Sequence, residues 1–121
     1  MKKIKKKTIK NRLDKLWSSL VKKNGVCEIC GNTEHLNSHH VIGRRCLNTR
    51  WDLKNGCSLC PGCHTFKNDS AHQNPLFFLA WFKKARPDDL KYLNEKRKEV
   101  PRPFSVVELL AIEEELKTLI K

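Results

Sequence analysis

Two cysteine pairs carry the residue types best suited to binding a metal ion. Cys27 and Cys30 form one CxxC pair, Cys60 and Cys63 form a second, and 29 residues separate the two pairs. Two such pairs can present four thiolates to one tetrahedral zinc ion, at Zn–S distances of about 2.3 Å. The sequence therefore predicts a structural Zn²⁺ site held by these four cysteines.

A third CxxC spacing leaves an alternative, because Cys57 and Cys60 are also separated by two residues. The later pair is preferred because Pro61 suits the first turn of a helix that would carry Cys63 onward. Cys46 and Cys57 are then expected to be small buried residues, which is the commoner fate of spare thiols.

A disulfide framework is the other use of six cysteines, and it belongs to secreted chains. The first residues are rich in lysine with no apolar segment behind them, unlike a secretory signal. The sequence also lacks a run of about 18 apolar residues that would span a membrane. We therefore expect a cytoplasmic protein that is not secreted and has no membrane partner.

Histidine and asparagine recur at defined intervals between and beside the cysteine pairs. His39 and His40 are followed by 14 residues and Asn55, and a further eight residues lead to His64. The 29-residue insertion is longer than the linker of roughly 15–20 residues in simple zinc ribbons. Over about residues 26–70 this pattern resembles the HNH (ββα-metal) endonuclease family, and the flanking cysteines resemble its zinc-containing phage and prophage branch.

The resemblance implies a fold, an activity and a partner. The fold would be a small α+β fold with a treble-clef-like ββα-metal core, stapled by a zinc ion on four cysteines and flanked by N- and C-terminal helices. The activity would be metal-dependent hydrolysis of DNA phosphodiester bonds, by nicking or cutting with low sequence specificity. The partner would be double-stranded DNA in a bacterial or phage-infected cell, with no small-molecule cofactor.

The resemblance also assigns roles within the site. His40 would be the general base, since histidine titrates near neutral pH and can take a proton from water. Asn55 would hold His40 in the required tautomer. His39, His64 and Asn68 would bind one catalytic divalent ion, which could be Mg²⁺, Mn²⁺, Ni²⁺ or Zn²⁺. A different class of function, a non-catalytic zinc-dependent module that binds nucleic acid, is the alternative.

Two geometric questions remain open in the sequence. In a continuous helix from Pro61, Asn68 lies one turn after His64 on the same face, whereas His72 lies two turns after it and competes for the same role. In addition, neighbours on a regular strand point to opposite faces, so His39 and His40 would either sit at a strand end or approach one phosphate from two sides. The family resemblance implies the second arrangement.

The positive charge is concentrated near the start of the chain. The net charge is +12, and residues 1–26 hold ten basic residues against Asp14 alone, whereas residues 27–73 are nearly neutral. Such a distribution favours a polyanionic partner. The predicted nucleic-acid contacts are three arginines near the site and five lysines of the N-terminal arm: Arg44, Arg45, Arg50, Lys2, Lys3, Lys5, Lys6 and Lys7.

The chain is interpreted as a flexible Lys-rich arm, residues 1–7, followed by a single domain, residues 8–121. Within the domain we expect a basic amphipathic helix over 8–25, the zinc and HNH core over 26–73, and a helical part over 74–121. Local residues predict where the helices begin, through an N-cap at Thr8, prolines in the first turn at Pro75 and Pro87, and a capping box at Ser105 and Glu108.

Overall fold

Four α-helices surround one two-stranded antiparallel sheet in the computed structural model, which describes residues 4–100 and 102–120. A short 3₁₀ turn, Leu53–Asn55, precedes the second strand, and a single π-helical turn, Gly62–Phe66, follows it. The six main elements in chain order are α1 (Lys6–Val21), β1 (Asn37–His40), β2 (Gly56–Leu59), α2 (Pro75–Ala85), α3 (Pro87–Lys96) and α4 (Val106–Lys117). The predicted α+β class with flanking helices is therefore confirmed.

The sheet sets the register of the site residues. His39 pairs with Cys57 and His40 pairs with Gly56 across the two strands. All four residues of β2 are buried, because α1 packs against this strand from one side and residues of α2 and α3 pack against it from the other. Since side chains alternate along a strand, His39 and His40 project from opposite faces of the sheet.

Helix α1 is amphipathic and begins earlier than the sequence suggested. Ile9, Leu13 and Trp17 form its buried stripe. The prediction that Thr8 caps this helix is wrong, because the helix begins at Lys6 and its N-cap is Lys5, which makes no side-chain capping bond. Two of the arm lysines thus belong to the helix and lie exposed on it, while Lys2 and Lys3 lie outside the described residues.

The C-terminal helices follow their local sequence. Pro75 and Pro87 occupy the first turns of α2 and α3, as predicted. The Ser105 hydroxyl accepts from the Glu108 backbone N–H at 3.1 Å, and the Glu108 carboxylate accepts from the Ser105 N–H at 3.0 Å. This capping box confirms the predicted start of α4, which ends at Lys117.

Two clusters of buried residues lie on the two sides of the sheet. The first combines the four buried cysteines, Cys27, Cys57, Cys60 and Cys63, with aromatic and aliphatic residues of α2 and α3, including Phe78, Phe82 and Leu93. The second joins α1 to α4 and includes Trp17, Trp51 and Leu109. No helix within residues 4–100 and 102–120 is long and apolar enough to cross a membrane.

Candidate metal centres

Four cysteines converge where the N-terminal part of the core meets the turn after β2. The sulfur atoms of Cys27, Cys30, Cys60 and Cys63 all lie within 4.8 Å of one another. The Cys30 and Cys60 sulfurs are 3.6 Å apart, close to the roughly 3.8 Å that tetrahedral Zn–S bonds of about 2.3 Å require. These residues are the predicted set, and together they can hold a structural metal ion.

The remaining two cysteines differ from each other. Cys57 is fully buried in β2, as expected, whereas Cys46 is only half-buried, so the prediction that both are buried is wrong for Cys46. Burial raises the pKa of the Cys57 thiol, and the nearby Glu28 carboxylate raises it further. The Cys57 thiol therefore stays protonated and is a poor metal ligand.

The electrostatic surroundings of Cys27 favour a thiolate. Burial alone would raise the pKa of this thiol, but backbone hydrogen bonds from Cys30, Cys60 and Ile29 outweigh burial and lower the pKa to about 7. Backbone N–H groups directed at a sulfur stabilise its anionic form. A thiol that ionises near neutral pH readily supplies the thiolate, which is the form that binds a metal ion.

Three imidazoles form a second cluster beside the first. One ring nitrogen each of His39, His64 and His72 lies within 4.8 Å of the others. The Nε2 atoms of His64 and His72 are 3.0 Å apart, near the roughly 3.3 Å that two nitrogens on one tetrahedral ion would adopt at metal–nitrogen distances of about 2.0–2.1 Å. The donor set and its spacing therefore fit a divalent metal ion.

Separate elements deliver the three rings to this cluster. His39 comes from the end of β1, and its ring also lies against Phe78 of α2 at a centroid distance of 4.8 Å. His64 follows Cys63 in the Gly62–Phe66 turn, so adjacent residues face the two candidate centres. The His72 backbone N–H donates to the His64 carbonyl at 3.1 Å, which holds the backbone around His72 against the turn that carries His64.

Asn68 does not take the position that a continuous helix would give it. The wide turn closes when the Lys67 N–H donates to the Gly62 carbonyl at 2.9 Å, and Lys67 then adopts an extended conformation. Asn68 lies beyond the helical turn and is exposed. The expected one-turn spacing between His64 and Asn68 is therefore wrong, and His72 supplies the third ring.

The surroundings of His39 and His64 favour their neutral forms. Burial, reinforced by the neighbouring His64, His72 and His40, lowers the pKa of His39 to about 3. Burial also lowers the pKa of His64. The Thr65 hydroxyl lies 3.3 Å from His64 Nδ1 and is able to accept a hydrogen bond from an Nδ1–H. In that tautomer the Nε2 lone pair is directed into the cluster. Neutral imidazoles with available lone pairs are metal ligands.

His40 occupies a different environment on the opposite face of the sheet. Its ring stacks on Trp17 at a centroid distance of 3.8 Å, with 10° between the planes. His40 Nε2 lies 3.0 Å from the Arg50 carbonyl oxygen. Because a carbonyl only accepts, Nε2 carries the proton and Nδ1 keeps its lone pair. Burial lowers the pKa of His40, which favours this neutral form.

Asn55 acts on the backbone rather than on His40 directly. Its side-chain oxygen accepts from the Ile42 N–H at 2.7 Å, and its amide donates to the carbonyls of Ile42 at 2.9 Å and Thr49 at 3.1 Å. The prediction that Asn55 contacts His40 is not met by these hydrogen bonds. Asn55 instead closes the loop between the strands and fixes the Thr49 carbonyl, which precedes that of Arg50 in the chain.

The three arginines near the site differ in how freely their side chains could contact a phosphate. Arg50 is largely buried and donates to Asp14 through Nε at 3.2 Å and Nη2 at 2.8 Å. Arg44 also pairs with Asp14, at 3.0 Å, but 61% of its side chain is exposed. Arg45 is exposed and forms no ion pair among the described residues. Arg44 and Arg45 therefore remain able to meet a phosphate, whereas Arg50 is held within the protein.

Two residues of α1 belong to the surroundings of His40 although the sequence did not point to them. Trp17 appeared only as part of an apolar stripe, and Asp14 stood out only as the single acidic residue in a basic segment. Their contacts with the loop are long-range in sequence.

No family model, curated protein or solved structure matches the chain.

Proposed function

We propose that the protein is a metal-dependent endonuclease of the HNH (ββα-metal) type that hydrolyses phosphodiester bonds in DNA. One observation carries the proposal: β1 ends with a histidine on each face. His39 joins two further imidazoles in a metal-binding geometry, and His40 keeps a free ring nitrogen. In this proposal the two strands and the Gly62–Phe66 turn form the ββα-metal core, and the four cysteines staple it with zinc.

His39, His64 and His72 would hold the catalytic ion. When bound, a divalent metal ion there would neutralise charge on the phosphate and stabilise the departing 3′ oxygen. Because His72 takes the place that was expected for Asn68, all three proposed protein ligands are nitrogen atoms. Imidazole ligands suit Ni²⁺ and Zn²⁺ better than Mg²⁺, which prefers oxygen. We therefore expect the nitrogen-preferring ions to bind more tightly than Mg²⁺.

His40 would be the general base. Its Nδ1 lone pair can accept a proton from a water molecule that attacks the phosphorus. The Arg50 carbonyl keeps the other nitrogen protonated and stabilises the positive charge that develops on the ring. The face of Trp17, which lies flat against the ring, favours the same cationic state.

The charge distribution supports a polyanionic substrate. Lys5, Lys6 and Lys7 are exposed at the start of α1, and Arg44 and Arg45 are exposed in the loop that follows β1. Side chains of this kind contact phosphates and carry no base specificity by themselves. The proposal is therefore an enzyme with low sequence preference that acts on double-stranded DNA.

Plasmid cleavage with and without the base tests the proposal. Supercoiled plasmid is incubated with wild-type protein, His40→Ala or His35→Asn, in the presence of Mg²⁺, Mn²⁺, Ni²⁺ or Zn²⁺. His35 is a matched control because it is exposed and lies outside both clusters, and its φ of +52° suits asparagine. We expect cleavage by wild type and His35→Asn, abolition by EDTA, and loss of cleavage in His40→Ala.

The alternative of a nucleic-acid-binding module makes a different prediction in the same assay. Folded wild-type protein would then retard the plasmid in a salt-sensitive manner and leave it uncut with every metal ion. Equal cleavage by wild type and His40→Ala would assign the activity to another base or to a contaminant. Either result would overturn the proposed role of His40.

A further inference from the structure

Helix α1 lies outside the His–Asn–His motif and yet forms one wall of the His40 site. Trp17 covers one face of the imidazole, and Asp14 binds the side chain of the residue whose carbonyl accepts the His40 hydrogen bond. We infer that Trp17 and Asp14 are positioning residues for His40. This inference rests on the proposed function, and it gives two side chains of the N-terminal helix, Trp17 and Asp14, a role in supporting the proposed base.

The Trp17 ring is held in place by contacts other than the one with His40. The side chain is buried, with 1% of its surface exposed. Its Nε1–H donates to the Asp52 carbonyl at 2.8 Å, which sets the plane of the indole. The His40 ring lies nearly parallel to that plane. The His40 imidazole therefore has little freedom to rotate, because one of its faces lies against this fixed indole and its Nε2 is hydrogen-bonded.

A glycine allows α1 to approach the strands so closely. Gly56 pairs with His40 in the sheet, and a Cβ atom at this position would lie 2.2 Å from Val21 Cγ2 and 3.0 Å from Trp17 Cζ2. The φ of Gly56 is −104°, which any residue can adopt. The glycine is therefore required by the packing of α1 against β2 and not by the conformation of its own backbone.

Asp14 fixes the hydrogen-bond acceptor of His40. Its carboxylate accepts from Nε and Nη2 of Arg50 and from the Trp51 indole N–H at 2.8 Å. Two consecutive side chains are thus tied to one carboxylate on α1. Because the Arg50 carbonyl lies between these anchors, its orientation toward His40 depends on Asp14.

Asp14 also restrains Arg44, and this second contact gives the inference a distinctive kinetic prediction. The Arg44 guanidinium is exposed but pairs with Asp14 at 3.0 Å. Neutralising the carboxylate would release this arginine toward DNA while loosening the support of His40. Asp14→Asn should therefore lower kcat by roughly tenfold to a hundredfold, whereas KM for plasmid stays the same or falls.

A control on the same helix separates positioning from simple stability. Arg12 donates to Glu113 of α4 at 2.7 and 2.8 Å and contacts neither His40 nor the loop. Arg12→Gln should lower the melting temperature and leave kcat unchanged at temperatures where the protein is folded. Trp17→Phe should retain more of kcat than Trp17→Leu, because phenylalanine keeps an aromatic face for the imidazole.

A measurement on the wild-type protein does not depend on whether any variant folds. Proton NMR of the zinc-loaded protein should show His40 ring protons shifted upfield by the Trp17 ring current, together with nuclear Overhauser contacts between the two rings. Absence of both would overturn the inference. It would also be overturned if Asp14→Asn and Trp17→Leu were folded and cleaved with wild-type kcat. Failure of wild type to cleave at all would instead contradict the proposed function.

Discussion

His64 Nε2 faces His72 Nε2 across 3.0 Å, although the two histidines are eight positions apart in the chain. Two imidazole nitrogens at this distance can share a proton or bind one cation, and His39 completes the set. This relationship replaces the expected His64–Asn68 pair.

Substitution of the third ligand tests this replacement. His72→Ala should weaken Ni²⁺ or Zn²⁺ binding at the histidine cluster by at least about tenfold, because it removes one of the three proposed ligands. Asn68→Ala should leave the affinity unchanged, since its side chain is exposed beyond the helical turn. Isothermal titration of zinc-loaded protein with Ni²⁺ measures both. The reverse ranking of the two variants would restore Asn68 as the ligand.

Local residues explain why much of the fold could be predicted from the sequence. Pro75, Pro87 and Ser105 determine helix starts through bonds to their own neighbours, and the CxxC pairs bring sulfurs together within one turn. The break after Phe66 was not predictable in this way, because it depends on a wide turn closed by one hydrogen bond from Lys67.

The contacts around His40 could not be predicted for a different reason. The pairing of Asp14 with Arg50 and the stacking of Trp17 on His40 join segments more than 20 residues apart. Periodicity predicts that Trp17 is buried but does not say what it contacts. The spacing of Asn55 likewise indicates that this residue matters to the site, but it does not predict the contacts that the residue makes. Its hydrogen-bond partners are backbone groups of the loop.

Removal of the structural metal ion should unfold the core. Cys60→Ser removes a sulfur from the four-cysteine cluster, and structural zinc can contribute on the order of 10 kcal/mol to folding. Cys57→Ser is the matched control, because Cys57 is buried close by and lies outside the cluster. Zinc content and far-UV circular dichroism should report loss of metal and helix only for Cys60→Ser. Retained stoichiometric zinc in that variant would contradict the assignment.

Asn55 should contribute strongly to stability. The buried side chain makes three hydrogen bonds to the loop between the strands. Asn55→Ala should lower the free energy of unfolding by about 3 kcal/mol, because buried backbone groups would be left without partners. Asn48→Ala, in the same loop but only partly buried, should cost about 1 kcal/mol or less. Urea denaturation of the zinc-loaded proteins measures the difference, and equal effects would contradict this account of Asn55.

The Arg12–Glu113 pair should make stability depend on pH. Hydrogen bonds from Arg12 outweigh burial and hold the pKa of the Glu113 carboxyl below its ordinary value. A depressed pKa stabilises the folded state above the pKa of the unfolded chain, about 4.3, and this contribution disappears as pH falls through the folded value. Wild type should therefore exceed Glu113→Gln in stability at pH 7, and the difference should shrink below about pH 4.5. A constant difference would exclude this linkage, and comparing the two proteins cancels the pH dependence of zinc binding.

The lysines at the start of α1 should carry part of the salt dependence of DNA binding. Replacing Lys5, Lys6 and Lys7 with Gln should reduce the slope of log Kd against log salt by up to about three, roughly one for each lysine that touches a phosphate. The control replaces three exposed lysines that lie beside acidic residues: Lys91, Lys98 and Lys117. Both variants remove the same charge. Fluorescence anisotropy with a labelled duplex should show a smaller slope only for the first, and equal slopes would remove α1 from the DNA-binding surface.

The most direct measurement is the initial rate of plasmid nicking by wild type and His40→Ala at equal metal content of the two candidate centres. The geometry predicts metal-dependent nicking by wild type and a rate at least about a hundredfold lower for His40→Ala, since general-base catalysis contributes about 10²–10⁴ in rate. Duplex binding should be the same for both proteins, because His40 is not a source of affinity. Equal nicking rates, or an intact plasmid with fully metallated wild type, would contradict the proposal that this chain is an HNH-type nuclease with His40 as its base.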